Sequence, residues 1–130
     1  MSTIPFKVAS IGIGWWSDIL ADAVLRTESR IKIVSCFTRS DDKRRVFAEK
    51  YGGRAAGSLG EILEDTEING IINTTPNHVH LETTRAAAEA GKHVFLDKPI
   101  ANTIVDAKAI TQACKDGGVT LGVGYQRRRE

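Results

Sequence analysis

Near its amino terminus the chain has an apolar run that is broken by two glycines and then resumes with helical spacing. The segment Lys7–Leu20 reads KVASIGIGWWSDIL, which predicts a β-strand, a tight turn and an α-helix. Gly12 allows the chain to turn sharply, and Gly14 allows bare backbone to approach a ligand. A helix that begins near Trp15 would direct its unpaired N–H groups at that ligand. We therefore expect a site here that suits an anionic pyrophosphate.

The turn departs in one position from the dinucleotide-binding pattern G-x-G-x-x-G/A. Ser17 occupies the third small position, and serine is small enough to let the helix pack against the strand. A G-x-G sequence by itself is equally compatible with an ordinary turn between a strand and a helix. The choice between the two interpretations therefore depends on the rest of the chain.

Two tryptophans stand in the variable positions of this turn. Trp16 shares a helical spacing with Ile19, Leu20 and Ala23, which predicts a core position for Trp16. Trp15 would then face the ligand, where its ring can cover a ribose or a pyrophosphate.

The composition narrows the class of protein. A chain of 130 residues with 42% hydrophobic residues predicts one domain with a single core. A net charge of +2 gives no electrostatic argument for a nucleic acid or a membrane surface. No apolar run approaches the roughly 18 residues of a membrane span, and no leader is visible, so we expect a cytoplasmic protein. Cys36 and Cys114 lack C-x-x-C spacing and are expected to be reduced, partly buried thiols.

Apolar runs alternate with helical patterns along the whole chain. This alternation favours a parallel sheet covered by helices over an all-β or all-α arrangement. Right-handed crossovers would produce a doubly wound sheet, whose ligand crevice lies at the carboxyl ends of the strands. Six strands are expected, near Phe6–Ile11, Ile31–Thr38, Arg54–Ala56, Ile68–Asn73, His93–Leu96 and Val119–Val123.

Capping signals mark where several helices begin. Ser58 and Thr103 each precede an acid by three positions, as in a capping box. Ser40 is followed by two aspartates, whose negative charge the dipole of a following helix favours. A fourth helix is predicted from Asn77 to Gly91, with Asn77 as its N-cap.

The polar candidates follow four of the predicted strands. Gly12 and Gly14 follow the first strand, and Thr38 and Arg39 follow the second. The segment 74–80 follows the fourth strand, and Asp97-Lys98-Pro99 follows the fifth. Because parallel strands end at one edge of a sheet, these groups are expected to converge on a single crevice.

Two motifs in the second half of the chain carry a family resemblance. Residues 73–80 read NTTPNHVH and residues 90–101 read AGKHVFLDKPIA. They resemble the patterns T-P-N-x-x-H and A-G-K-H-V-x-x-E-K-P-x-A of the glucose-fructose oxidoreductase/inositol dehydrogenase family, and the resemblance covers the whole chain. It implies a Rossmann domain of an oxidoreductase that moves a hydride between NAD(P) and a hydroxyl-bearing carbon of a sugar, polyol or cyclic alcohol. Asp97 stands where the family has glutamate, which keeps the carboxylate but shortens it by one methylene.

The same resemblance implies roles for single residues. Lys98 matches a catalytic lysine that lies beside the nicotinamide and can assist proton transfer from the reacting hydroxyl. Asn77 and His80 match residues that border the nicotinamide ribose, and Arg128 matches an arginine near a domain junction, although a solvated basic end explains Arg128 equally well. The cofactor-binding candidates are Gly12, Ile13, Gly14, Trp15, Trp16, Thr38, Arg39, Ser40, Thr74, Thr75, Pro76, Asn77, His80, Asp97, Lys98 and Arg128.

A metal is not expected at this site. His78 and His80 lie two positions apart, and no further histidine or cysteine stands near them.

The end of the second strand favours NADP over NAD. A site that prefers NAD usually places an acid there for the ribose 2′-hydroxyl, whereas this chain has Thr38, Arg39 and Ser40. Arg39 can stack on adenine and pair with a 2′-phosphate. NAD stays possible, because Asp41 or Asp42 can bend back toward a ribose.

Two other functions compete with the oxidoreductase interpretation. One is a nucleotide-sensing module that regulates a partner without chemistry, and the other is a methyltransferase-like fold that uses S-adenosylmethionine. The Asp97-Lys98-Pro99 context argues against the methyltransferase.

The resemblance also implies that this chain is one domain of a longer protein. Residues 1–124 would form the dinucleotide-binding domain, and residues 125–130 would begin the connection to a substrate domain that this sequence lacks. The full-length protein is then expected to be a homo-oligomer acting on a small hydroxyl or carbonyl substrate, with no nucleic-acid or membrane partner. The chain alone should bind cofactor without appreciable turnover and expose apolar surface around its last strand.

Overall fold

A single parallel sheet organises the described part of the protein. The computed structural model describes residues 5–27 and 30–124. In this part the six strands follow the order β3-β2-β1-β4-β5-β6, with every neighbouring pair parallel. The strands are β1 (Phe6–Ile11), β2 (Ile31–Phe37), β3 (Arg54–Ala55), β4 (Gly70–Asn73), β5 (His93–Asp97) and β6 (Leu121–Gly124). The predicted doubly wound fold is confirmed.

Helices connect these strands, and three of them begin at the predicted caps. The hydroxyls of Ser40, Ser58 and Thr103 accept hydrogen bonds from backbone amides three residues further on, at 3.3, 3.2 and 3.1 Å. None of the helices within residues 5–27 and 30–124 is long and apolar enough to cross a membrane. The helices are α1 (Trp15–Leu25), α2 (Asp41–Tyr51), α3 (Leu59–Glu64), α4 (His80–Glu89) and α5 (Ile104–Asp116).

The fourth helix begins later than its sequence predicts. A 3-10 turn over Asn77–Val79 precedes α4, which starts at His80. Pro76, with a φ of −56°, takes the cap position of this turn, and no side chain caps it. Asn77 was therefore wrongly predicted as the N-cap, because the fixed φ of the preceding proline starts the turn one residue earlier.

The sheet separates two hydrophobic clusters. Val8 and Ile72 point toward α1 and α2, where they join Phe47 in one buried cluster. Ala9 and Ile71, the adjacent residues of the same strands, belong to a second cluster with residues of α3, α4 and α5. The alternation of side chains along β1 and β4 thus assigns successive residues to opposite faces.

A buried lysine fixes the start of β4. The Lys92 ammonium donates hydrogen bonds to the carbonyls of Asp65 at 2.6 Å and Ile68 at 2.8 Å. Burial lowers the pKa of Lys92, while the charge of Asp65 opposes this shift. β4 begins at Gly70, two residues after the predicted start, and the Lys92 ammonium binds the residues that precede it.

The half of the sheet formed by β4 and β5 is partly uncovered on the side of α1. An apolar groove of about 290 Å³ lies there, and Phe6 and Phe95, which line it, are 41% and 39% exposed. Gly70 and Gly124 sit against these two rings. This groove is lined by residues of β1, β4 and β5, whereas the sequence led us to expect exposed apolar surface around β6.

Candidate functional site

Four strands end side by side at one edge of the sheet. Ile11, the last residue of β1, lies opposite Phe37 of β2 and Asn73 of β4, and Asn73 lies opposite Leu96 of β5. The segments that follow these strands therefore meet at the point where the chain reverses its direction of winding, between β1 and β4. This is where a doubly wound sheet opens a crevice for a ligand.

Gly12 follows β1 and lies against the backbone that follows β4. Its φ is +83°, and a Cβ on it would fall 2.8 Å from the carbonyl carbon of Thr74 and from the amide nitrogen of Thr75. Its amide donates to the carbonyl of Phe37 at 2.9 Å, and its carbonyl accepts from the Thr74 hydroxyl at 2.8 Å. Both the backbone conformation and the space therefore require glycine.

Gly14 leaves open space beside the start of α1. Its backbone is extended, it is exposed, and a Cβ on it would meet no atom within 4 Å. The amide of Gly14 donates to the Ser17 hydroxyl, which in turn donates to the Gly14 carbonyl, both at 2.8 Å. Ser17 is 2% exposed, so it serves as the third small residue of the motif and also fixes the turn.

The two tryptophans differ in their surroundings. Trp15 is 77% exposed at the start of α1. Trp16 is half-buried and belongs to neither hydrophobic cluster, so its predicted core position is wrong. Its indole lies close enough to the carboxyl of Asp97 to lower the pKa of that carboxyl. This proximity brings the glycine turn next to the Asp97-Lys98-Pro99 segment.

The end of β2 presents Thr38 and Arg39 to a cleft of about 470 Å³. Gly12, Thr75 and Pro76 line the same cleft, so three of the strand ends contribute to it. Arg39 is exposed there. The cleft joins the glycine turn to the two segments that were expected to contact the cofactor.

Arg44 is a residue of this region that the sequence analysis missed. Its guanidinium donates to the carbonyl of Thr38 at 2.6 Å, forms an ion pair with Asp41 and lies 5.3 Å from the centre of the Phe37 ring. Its side chain is only 14% exposed. The i, i+3 spacing of an acid and an arginine within the predicted helix is the signal that could have identified the pair.

Asn73 organises the loop after β4. It is fully buried, and its Oδ1 accepts hydrogen bonds from the amide of Thr75 at 3.1 Å and from the Thr75 hydroxyl at 2.6 Å. Its Nδ2 donates to the hydroxyl of Thr84 in α4 at 3.3 Å. Asn73 was not among the predicted site residues, since no pattern distinguishes it from a strand terminus.

His80 does not face the crevice. The residue is 0% exposed, and both ring nitrogens lie within hydrogen-bonding distance of backbone carbonyls. A direct contact with a ribose, as the resemblance implied, is not compatible with this burial. Pro76 and Asn77 are exposed near the mouth of the cleft, and Arg128 lies outside the described residues.

The end of β5 carries a half-buried acid next to an exposed lysine. Burial raises the pKa of the Asp97 carboxyl. This rise is opposed by the Lys98 amide, by the charges of His80 and Lys98, and by the indole of Trp16. The Lys98 side chain is exposed at the same edge as the glycine turn, where a ligand can reach it.

This geometry defines a dinucleotide-binding Rossmann domain: a doubly wound sheet with bare backbone at its switch point and polar groups at four strand ends. Residues 6–125 match the family described as "Oxidoreductase family, NAD-binding Rossmann fold". The chain therefore belongs to this glucose-fructose oxidoreductase/inositol dehydrogenase family of NAD(P)-dependent oxidoreductases.

Individual proteins of known sequence or structure support the assignment. The chain is 34% identical over 98 residues to a 1,5-anhydro-D-fructose reductase of Ensifer adhaerens, covering 75% of this chain and 29% of that protein. It is 31% identical over 123 residues to a scyllo-inositol 2-dehydrogenase (NADP(+)) of Bacillus subtilis, covering 94% of this chain and 34% of that protein. An NAD binding oxidoreductase from Klebsiella pneumoniae superposes with a TM-score of 0.90 at 27% identity, covering 97% and 36% of the two chains. The chain thus spans about a third of the length of these relatives.

Proposed function

We propose that the crevice binds a nicotinamide dinucleotide across the ends of β1, β2, β4 and β5. The observation that carries this proposal is the bare backbone of the glycine turn. Gly12 cannot carry a side chain because Thr74 fills the space, and Gly14 borders open space that a pyrophosphate would need. The first-turn amides of α1 have no carbonyl partner within the helix, and they are suited to anionic oxygens.

We further propose which residues hold the two ends of the dinucleotide. Thr38, Arg39 and Ser40 would contact the adenosine end, where the cleft is lined by the loop after β2. The other end would lie beside the segments 74–77 and 97–98. When bound, the oxidised nicotinamide supplies a hydride acceptor.

The exposed ammonium of Lys98 is proposed as the catalytic group of this chain. It can donate a hydrogen bond to the oxygen of an alcohol, and it can hold or pass on the proton that leaves this oxygen. We propose a sugar, polyol or cyclic alcohol as the substrate, as the names of the reductase and the inositol dehydrogenase suggest. Residues outside 1–124 are proposed to complete the substrate pocket, since Lys98 and Trp15 are both exposed in this domain.

A titration of the purified chain tests the proposed cofactor. We expect NADPH and NADH to bind, and S-adenosylmethionine not to bind, as measured by nicotinamide fluorescence and by calorimetry. The two tryptophans of the chain are adjacent and lie at the start of α1, so their emission should also be quenched by the reduced nicotinamide. A chain that is folded but binds neither dinucleotide would contradict the proposal.

We propose a preference for NADP, and Arg39→Ala tests it. Both aspartates after Ser40 are engaged in ion pairs, Asp41 with Arg44 and Asp42 with Arg45, so neither is poised for a ribose hydroxyl. Removing the exposed guanidinium of Arg39 should lower the ratio of NADPH to NADH affinity about tenfold or more, because charge-assisted hydrogen bonds are worth roughly 1.5–3 kcal/mol.

Arg26→Ala is the matched control for that variant. Arg26 is also exposed, but it follows the last residue of α1, at the far end of that helix from the glycine turn. Its replacement should leave the affinity ratio unchanged although the net charge falls equally. An unchanged ratio in Arg39→Ala would show that Arg39 does not read the 2′-phosphate.

A further inference from the structure

His80 connects the two loops that border the proposed nicotinamide end of the site. Its Nε2 lies 2.8 Å from the carbonyl oxygen of Thr75, in the loop after β4. Its Nδ1 lies 3.1 Å from the carbonyl oxygen of Pro99 and 3.3 Å from that of Ile100, in the segment after β5. All three partners are acceptors, and the ring between them is fully buried.

This environment constrains where the ring carries protons. A neutral imidazole has one N–H donor, and its other nitrogen presents a lone pair. A lone pair that faces a carbonyl oxygen makes no hydrogen bond, whereas a ring protonated on both nitrogens donates in both directions. A lone pair buried against a carbonyl oxygen is costly, and donation to carbonyl oxygens on both sides of the ring offsets the cost of burying its charge, so the geometry favours the doubly protonated ring.

Another histidine of the chain has the opposite environment. The Nδ1 of His93 accepts a hydrogen bond from the amide of Thr120 at 2.9 Å. His93 must therefore be unprotonated at Nδ1, which makes it a neutral ring with its proton on Nε2. The two residues thus provide an internal contrast within one protein.

We propose that His80 is a positioning residue that carries a proton on both ring nitrogens and fixes the 74–76 loop and the 97–100 segment relative to one another. The inference rests on the proposed dinucleotide function, because it gives the nicotinamide end of the site its shape.

Nitrogen NMR of the chain labelled with ¹⁵N-histidine tests the protonation directly. The chain has three histidines, and His78→Asn, His80→Asn and His93→Gln assign their signals by subtraction. At neutral pH both nitrogens of His80 should resonate as protonated nitrogens, while His93 should show one protonated and one unprotonated nitrogen. An unprotonated nitrogen in His80 would overturn the proposal, and this reading does not depend on cofactor binding.

Two variants test the positioning role. The amide nitrogen of Gln reaches the place of Nε2, and that of Asn reaches the place of Nδ1, so His80→Gln can keep the bond to Thr75 and His80→Asn the bonds to Pro99 and Ile100. Each variant breaks one side of the connection. We expect each to weaken NADPH binding about tenfold and to leave the affinity for adenosine 2′,5′-bisphosphate within twofold, because this fragment lacks the nicotinamide end.

The outcomes separate this inference from the proposed function. His93→Gln, at the start of β5 and so at the opposite edge of the sheet, should change neither affinity. Unchanged NADPH affinity in folded His80 variants would overturn the positioning role, and so would an equal loss for both ligands, which a general structural defect produces. A wild-type chain that binds neither ligand would refute the dinucleotide function, while the NMR result would still decide the protonation of His80.

Discussion

Replacement of Gly12 by alanine should lower the free energy of unfolding by about 2–4 kcal/mol. A φ of +83° strains any residue with a side chain, by roughly 1–3 kcal/mol. The new methyl group would also lie 2.8 Å from backbone atoms of Thr74 and Thr75, which cannot move without displacing the end of β4. Urea denaturation, followed by circular dichroism, measures the change.

Gly52→Ala separates the two contributions to that loss. Gly52 has a φ of +86°, nearly the same as Gly12, but a Cβ there would meet no atom within 4 Å. Its replacement should therefore show the conformational strain alone, roughly 1–3 kcal/mol. Equal losses in the two variants would mean that the contact between the glycine turn and Thr74 is unimportant for stability.

Gly14→Val should abolish dinucleotide binding in a protein that still folds. Its backbone is extended, so valine is allowed there, and the open space beside it holds the branched side chain. Because valine is a poorer N-cap than glycine, the free energy of unfolding should fall by only about 1 kcal/mol. The side chain would, however, occupy the space proposed for the pyrophosphate, and we expect the affinity for NADPH to fall at least about a hundredfold.

The smaller variant Gly14→Ala provides a graded comparison, with an intermediate loss of affinity expected. Calorimetric titration of both proteins, alongside their denaturation curves, gives the two quantities independently. A folded Gly14→Val protein that binds NADPH as well as the wild type would place the pyrophosphate elsewhere.

Much of the fold can be predicted from local patterns in the sequence. The strands β1, β2 and β5 are apolar runs with clear ends, and Ser40, Ser58 and Thr103 are caps whose hydroxyl bonds span only three residues. The convergence of strand ends also follows, because parallel strands in right-handed crossovers must end at one edge. The family patterns in residues 73–80 and 90–101 then indicate the class of chemistry.

The contacts that shape the site could not be predicted in the same way. Trp16 shares the helical spacing of apolar neighbours, and that spacing does not reveal that its indole is half-buried near Asp97 instead of in the core. His80 was expected at a ribose, yet its burial and its carbonyl partners depend on how α4 packs between two loops. Such contacts join residues distant in sequence, and the periodicity of a single element does not specify them.

The position of β1 between β2 and β4 has a consequence for how the protein folds. The glycine turn contacts β2, the next strand in the chain. It also contacts Thr74, which is 62 residues away from Gly12. Closing the longer loop carries the larger entropic cost and slows the pairing that depends on it. The crevice is therefore completed only when β4 pairs with β1. The β1–β2 half of the sheet can form before that step, so the capacity to bind a ligand arises late in folding.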